Sequence, residues 1–154
     1  MSEADKAVIR RVFDEMATQG RLDVAFEIYS PKYVDHQPFP GAPTRGPEGA
    51  HTSIGLMRTV LPDLVVHTHA MSAHNGLVAC HNTWSGTHLG EALNIRPTGQ
   101  PASFDALVVF RVTDGLITER WSIGFDQNMR RALGLTFKWN PSRNPSSRRY
   151  EELP

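Results

Sequence analysis

The strongest constraint on this chain is a change of period near Pro62. Before it, apolar residues recur at helical intervals. After it they alternate, and two turn signals, His74-Asn75-Gly76 and Asp114-Gly115, interrupt the alternation. Asparagine, aspartate and glycine tolerate the positive φ of tight hairpin turns, so each signal predicts two strands folded back on one another. Helices first and hairpins after is an α+β order, in which the helices bury their apolar stripes on one face of a sheet.

In the first half, Ala7, Val8, Val12, Met16 and Ala17, with Phe13 beside them, predict an amphipathic helix over 4–17 that Gly20 ends. Leu22, Ala25, Phe26 and Tyr29 mark a second helix, broken at Ser30-Pro31. Tyr33-Val34-Asp35-His36 then enters a loop rich in proline and glycine. Pro47 suits the first turn of a third helix, with Glu48 near its positive end and Ile54, Met57, Val60 and Leu61 as its buried stripe. Strands are predicted over 64–72, 77–87, 103–112 and 116–125. Residues 89–100 form a loop able to act as a lid, and 127–134 a short closing helix. A domain over 1–135 is expected, followed by a tail over 136–154 whose polar, Ser-, Pro- and Arg-rich composition predicts disorder.

Composition narrows the function classes. With 154 residues the chain can bury a core of its own, and its 16 basic and 16 acidic residues leave no electrostatic footprint for nucleic acid or an anionic membrane. Cys80 is the one cysteine, so no intrachain disulfide forms, and its apolar setting reads as a small buried hydrophobe. The polar start Met1-Ser2-Glu3-Ala4-Asp5-Lys6 and the lack of any membrane-length apolar run give a cytoplasmic expectation.

The second hairpin can be threaded. With a turn at 113–115, Val112 lies opposite Leu116, Phe110 opposite Thr118, Val108 opposite Arg120, Ala106 opposite Ser122 and Phe104 opposite Gly124. These share one face and Asp126 continues it. The other face carries Asp105, Leu107, Val109, Arg111, Glu119, Trp121 and Ile123, with Arg111 diagonal to Glu119 as a structural ion pair. A one-residue bulge would swap the faces beyond it. The first face grades from apolar to polar towards Arg120, Ser122 and Asp126, as the wall of a ligand pocket would.

Gly86-Thr87-His88, Gly90, Pro97-Thr98-Gly99, Phe110-Arg111-Val112, Asp114-Gly115, Glu119, Trp121, Asp126 and Leu133-Gly134 follow in an order that resembles the SnoaL-like polyketide cyclase (ester cyclase) family of the nuclear-transport-factor-like superfamily. The resemblance spans roughly residues 5–135. It implies a cone-shaped α+β barrel, with N-terminal helices packed on a curved antiparallel sheet around a pocket. It also implies no cofactor, no metal and a homodimer through the outer sheet face, to which apolar Val109, Trp121 and Ile123 are suited. In such cyclases a carboxylate placed like Asp126 is the general acid/base. It takes a proton from a carbon beside a carbonyl, and the enolate attacks a second carbonyl of the same molecule.

The candidate catalytic residues are therefore Asp126 and His36, the histidine standing at the cavity mouth in family members. Each has a plainer reading: Asp126 as the N-cap before Gln127-Asn128-Met129, His36 as a loop residue bonded to backbone. Candidate substrate contacts are Arg120, Ser122, Phe104, Val108 and Phe110 from the threaded face. Trp84 and His81 come from a strand whose parity is open, and His88 from the loop base, where a shaping role competes. Arg96 could hold a ligand carboxylate. His67, His69 and His81 invite a metal reading through their His-x-His spacing, against the family's metal independence.

This chain departs from aldol-type relatives, which carry more acids and histidines where Val108, Arg120 and Ser122 stand. A buried Arg120 near Asp126 would weaken the aspartate as a base or stabilise the enolate. The expected ligand is a small apolar or aromatic carbonyl compound. Three functions remain open: an enolate-forming cyclase or isomerase, a hydrolase like the limonene-epoxide hydrolases that needs two aspartates flanking an arginine, and a non-catalytic binding module. An Asp126 carboxylate buried in an apolar pocket with a free lone pair favours the first, a carboxylate pair around one arginine the second, and a pocket filled by side chains the third.

Overall fold

The computed structural model describes residues 2–91, 93–138 and 149–152. Helix α1 (Ser2–Arg11) widens into a π-helical segment (Val12–Thr18), and Gly20 at φ +76° turns the chain. The second predicted helix is shorter than its pattern suggests. A 3₁₀ turn (Leu22–Val24) and α2 (Ala25–Ile28) give way at Tyr29 to strand β1 (Tyr29–Asp35). Helix α3 (Gly46–Val60) follows with Pro47 in its first turn and Ile54, Met57 and Val60 buried, as predicted. Strands β2 (Val65–His74), β3 (Leu77–Thr87), β4 (Pro101–Thr113) and β5 (Leu116–Ile123) form two hairpins, and α4 (Phe125–Ala132) closes the unit.

The fold is α+β, with one difference from expectation. The five strands run in the order β1-β5-β4-β3-β2, and β1 lies parallel to β5, with Asp35 opposite Arg120. The sheet is thus mixed and open rather than wholly antiparallel, with β1 and β2 as its edges. Segment 29–35 reads poorly as a strand because Pro31 interrupts it and its pairing slips between Tyr29 and Val34.

Both turn signals act as two-residue hairpin turns: Asn75 and Gly76 have φ of 50° and 77°, Asp114 and Gly115 of 51° and 80°. In the second hairpin Thr113 faces Leu116, one residue off the threading, and a bulge at Thr118 adds a second offset. The two offsets cancel in parity. Phe110 pairs with Arg120 and Val108 with Ser122, so beyond the bulge the faces hold although the partners move by two, whereas nearer the turn buried Ile117, opposite Val112, takes the inward place threaded for Leu116. Arg111 stands directly opposite Glu119 and donates to it at 2.6 Å.

The core lies between the helices and the inner face of the sheet. Val78, Cys80 and Trp84 of β3, and Phe104, Ala106, Val108 and Phe110 of β4, alternate inward and are buried. Phe13 of the π segment meets Trp84 and Phe110 edge-on, at 6.2 and 5.9 Å between ring centres. Burial pushes the Cys80 thiol up to about 12, which leaves it inert at neutral pH.

Loop 89–100 docks on the end of α3 through hydrogen bonds from the Leu89 and Gly90 N–H groups to the Val60 carbonyl. A Cβ on Gly90 would fall 1.8 Å from the Thr59 carbonyl oxygen, so only glycine fits that approach. In the tail, Leu135–Lys138 and Arg149–Glu152 pair as an antiparallel ribbon, β6 and β7. The rest of the tail predicted to be disordered lies outside the described residues. Among the described residues no helix is long and apolar enough to cross a membrane.

Candidate active site

A cavity of about 490 Å³ opens between the helices and the inner sheet face. Its walls are Phe13, Tyr29, Tyr33, Ile54, Met57, Trp84, Val108, Phe110, Phe125 and Met129. Its polar residues are Asp35, Gln37, Ser53, Arg120, Ser122, Asp126, Gln127 and Arg130. The volume and the mix, apolar walls with a few polar groups, suit a small organic ligand.

The parallel pairing of β1 and β5 builds the polar end. Arg120 Nη1 donates to Asp35 Oδ1 at 3.1 Å and to the Gln37 carbonyl at 3.0 Å. The Gln37 N–H returns to Asp35 Oδ1 at 3.0 Å, and Gln37 Oε1 accepts from the Ser122 N–H at 2.8 Å. The guanidinium also lies over the Phe125 ring, 5.6 Å from its centre. Arg120 is therefore held on several sides, with its charge balanced by a buried carboxylate.

Asp126 lines the same cavity from the first turn of α4. It is not the N-cap: Gly124, at φ +71°, holds that position. Its carboxylate sits near the positive end of the helix, is half exposed, and accepts from Arg130 Nε at 2.9 Å.

Three polar atoms on cavity residues are buried without a hydrogen-bond partner among the described residues: Tyr33 Oη, Ser53 Oγ and Trp84 Nε1. A buried donor left unpaired costs about 1–3 kcal/mol, so these three groups are chemically able to bond oxygen atoms that enter the cavity. Burial drives the Tyr33 and Tyr29 hydroxyls well above the ordinary tyrosine value and keeps both protonated as donors.

Of the residues singled out from the sequence, Asp126, Arg120, Ser122, Trp84, Val108 and Phe110 line the cavity. Phe104 stands behind the wall, its ring centre 5.2 Å from Phe125 and 6.4 Å from Trp84. His36 is elsewhere. One residue beyond Asp35, it follows strand alternation to the opposite face, where its ring stacks on Trp121 at 4.9 Å and Nε2 lies 3.3 Å from Glu119. His81 is also on the outer face, beside Asp105, because the even-numbered residues of β3 point inward.

His88 is fully buried, with Nδ1 accepting from the Thr98 N–H, and desolvation of its charged form lowers its pKa. It braces loop 89–100, no described residue of which lines the cavity, so the loop is not a lid over it in this conformation. Sequence reasoning left Asp35, Gln37, Tyr33, Ser53 and Arg130 out of the site. The two-residue period Tyr33, Asp35, Gln37 was the available signal for three of them. No cluster of metal-ligating side chains lies in the cavity among the described residues.

Comparison with known proteins agrees with this geometry. The SnoaL-like polyketide cyclase family profile matches residues 7–133. Among curated proteins none matches the chain. Among solved structures it is similar to TsrD of Streptomyces laurentii (22% identity, TM-score 0.76, covering 87% of this chain and 98% of that one). It is likewise similar to AclR of Streptomyces galilaeus, a proposed hydroxylase (22%, 0.73, 87% and 98%). A third similar structure is IdmH of Streptomyces antibioticus, a proposed polyketide cyclase (28%, 0.70, 84% and 98%). With the profile spanning most of the chain and the cavity, sheet and helices in place, this protein belongs to the SnoaL-like polyketide cyclase family.

Proposed function

We propose that the protein cyclises or isomerises a small, oxygen-rich carbonyl compound through an enolate, without a cofactor. The observation that carries this reading is the pairing, in one largely apolar cavity, of a solvent-reachable carboxylate, Asp126, with an arginine already fixed in place, Arg120. Asp126 takes the proton from the carbon beside the carbonyl. Arg120 donates to the carbonyl oxygen as negative charge develops there. Its tethers to Asp35 and Gln37 mean that little reorganisation is needed at that moment. The enolate carbon attacks a second carbonyl of the same molecule, and the new alkoxide is protonated from Asp126. Of Arg120 and His36, either of which could steady the oxyanion, only Arg120 lines the cavity, and His36 lies across the sheet.

Tyr33, Ser53 and Trp84 would hold further oxygens of the ligand against the apolar wall. Asp126 is half exposed and bonded to Arg130 rather than buried with a free lone pair, and the exposure of its carboxylate keeps that contact weak enough to yield to substrate. We also infer a homodimer through the outer sheet face, where Leu107 and Ile123 are 49% and 65% exposed. Trp121 is already partly covered by His36 and Arg111.

One observation favours a second reading. Asp35 and Asp126 both line the cavity that holds Arg120, which supplies the two carboxylates and the arginine of an epoxide-type hydrolysis. Isotopes separate the two. In deuterated water the enolate enzyme exchanges the acidic hydrogens of β-keto esters and aryl ketones. In ¹⁸O-water a hydrolase places the label in a diol formed from an epoxide. Label in the diol without carbon-bound deuterium would replace the enolate reading.

A further inference from the structure

On the sheet face away from the cavity, three histidines and an aspartate crowd together. His67 and His69 come from β2, His81 from β3 and Asp105 from β4. Thr83 stands opposite both His67 and Asp105. The β2–β3 register slips between Thr68 and Ala70, so His69 is the extra residue of a bulge. Bulges re-aim side chains, and this one leaves His67, His69 and Ala70 all exposed. The His69 ring centre lies 4.7 Å from that of His67 and 4.8 Å from that of His81.

We propose that His69, His81 and Asp105 bind one divalent late transition-metal ion, of which zinc is the type, across strands β2, β3 and β4. One donor atom from each of the three lies within 4.8 Å of the others. His81 Nε2 is 3.3 Å from Asp105 Oδ2. Tetrahedral zinc, with ligand bonds of about 2.0–2.2 Å, needs its donors somewhat closer together, and exposed side chains can supply that by rotation. Two imidazole nitrogens and one carboxylate oxygen suit zinc, copper or nickel better than calcium or magnesium, which prefer all-oxygen shells.

The surroundings also fit. Thr83 Oγ1 donates to Asp105 Oδ1 at 2.7 Å and lies 2.6 Å from His69 Nε2, so one hydroxyl orients two of the ligands. Water fills the fourth position, and His67, its ring centre 4.7 Å from that of His69, borders the set. An ion here ties the edge strand β2 to the two strands beside it. The site shares no residue with the cavity, so it stands or falls independently of the enolate reading; it borders the inferred dimer contact, since His81 stands opposite Leu107, so the titration is read together with the oligomeric state.

The test is calorimetric titration of the full-length, metal-stripped protein with ZnCl₂, with cobalt absorption as a second probe of the ligand set. The expected result is one zinc per chain, bound tighter than about 100 μM, and weakened at least about tenfold in each of His69→Gln, His81→Gln and Asp105→Asn. His51→Gln and His74→Gln, histidines outside the cluster, should bind as the wild type does. Circular dichroism would check that the variants fold, which their exposed positions favour. Binding weaker than that bound, or a loss shared by the two control variants, would overturn the proposal. So would affinity unchanged in the three cluster variants.

Discussion

Arg120 Nη1 stands 3.1 Å from Asp35 Oδ1, and the two side chains are only 15% and 2% exposed. The pair joins the edge strand β1 to β5 at the polar end of the cavity, so it both holds the sheet together and sets the one arginine the proposed chemistry uses. Removing one member of a buried pair leaves the other charge without compensation, a loss of about 3–5 kcal/mol. Asp35→Ala should therefore lower the unfolding free energy by about 3 kcal/mol, and Asp35→Asn by less, because the amide oxygen can still accept from Arg120. Urea unfolding measures both. An Asp35→Ala protein as stable as wild type would mean that the pair is not formed in solution.

The unpartnered donors predict a trade between stability and binding. Tyr33→Phe and Ser53→Ala each remove a buried polar atom that has no partner among the described residues. Without ligand, each variant should be as stable as wild type or more so, by up to about 1 kcal/mol. Each should bind oxygenated ligands more weakly. Thermal shifts with and without a bound aryl ketone read both effects. Variants that lose stability and keep their affinity would place these atoms in the scaffold rather than the site.

His88 predicts a pH dependence. Its folded pKa is depressed by burial, whereas in the unfolded chain it titrates near 6.5. Between those two values the unfolded chain binds more protons, so stability falls as the pH drops through that window and is retained above it. Melting temperature should decline from pH 7.5 towards 5.5. In His88→Gln that decline should be shallower, even if the whole curve is lower. An equally steep curve in the variant would assign the titration to another group.

The sequence made the hairpins readable because Asn75-Gly76 and Asp114-Gly115 carry their geometry locally. The cavity wall on β4 and β5 was readable for a less secure reason. The turn is one residue shorter than threaded and Thr118 bulges, and these offsets restored the faces of Arg120 and Ser122. A bulge leaves little trace in a pattern of period two, so no reading of residues 110–122 could have fixed the partners. Strand β1 stayed hidden because it pairs in parallel with a strand far along the chain, and parallel pairing has no turn signal. Once Tyr33–Asp35 is known to be strand, alternation alone puts Asp35 in the cavity and His36 outside. The same alternation, anchored by inward Trp84, sends His81 outward.

The most direct measurement is deuterium exchange into the acidic carbon of a β-keto ester, followed by NMR, for wild type and Asp126→Asn. The substitution removes the charge of a half-exposed carboxylate and leaves an amide oxygen that can still accept from Arg130, so stability should stay within about 0.5 kcal/mol of wild type. Exchange should be catalysed by the wild type and vanish in the variant. Exchange that persists at the wild-type rate in Asp126→Asn would contradict the assignment of Asp126 as the base.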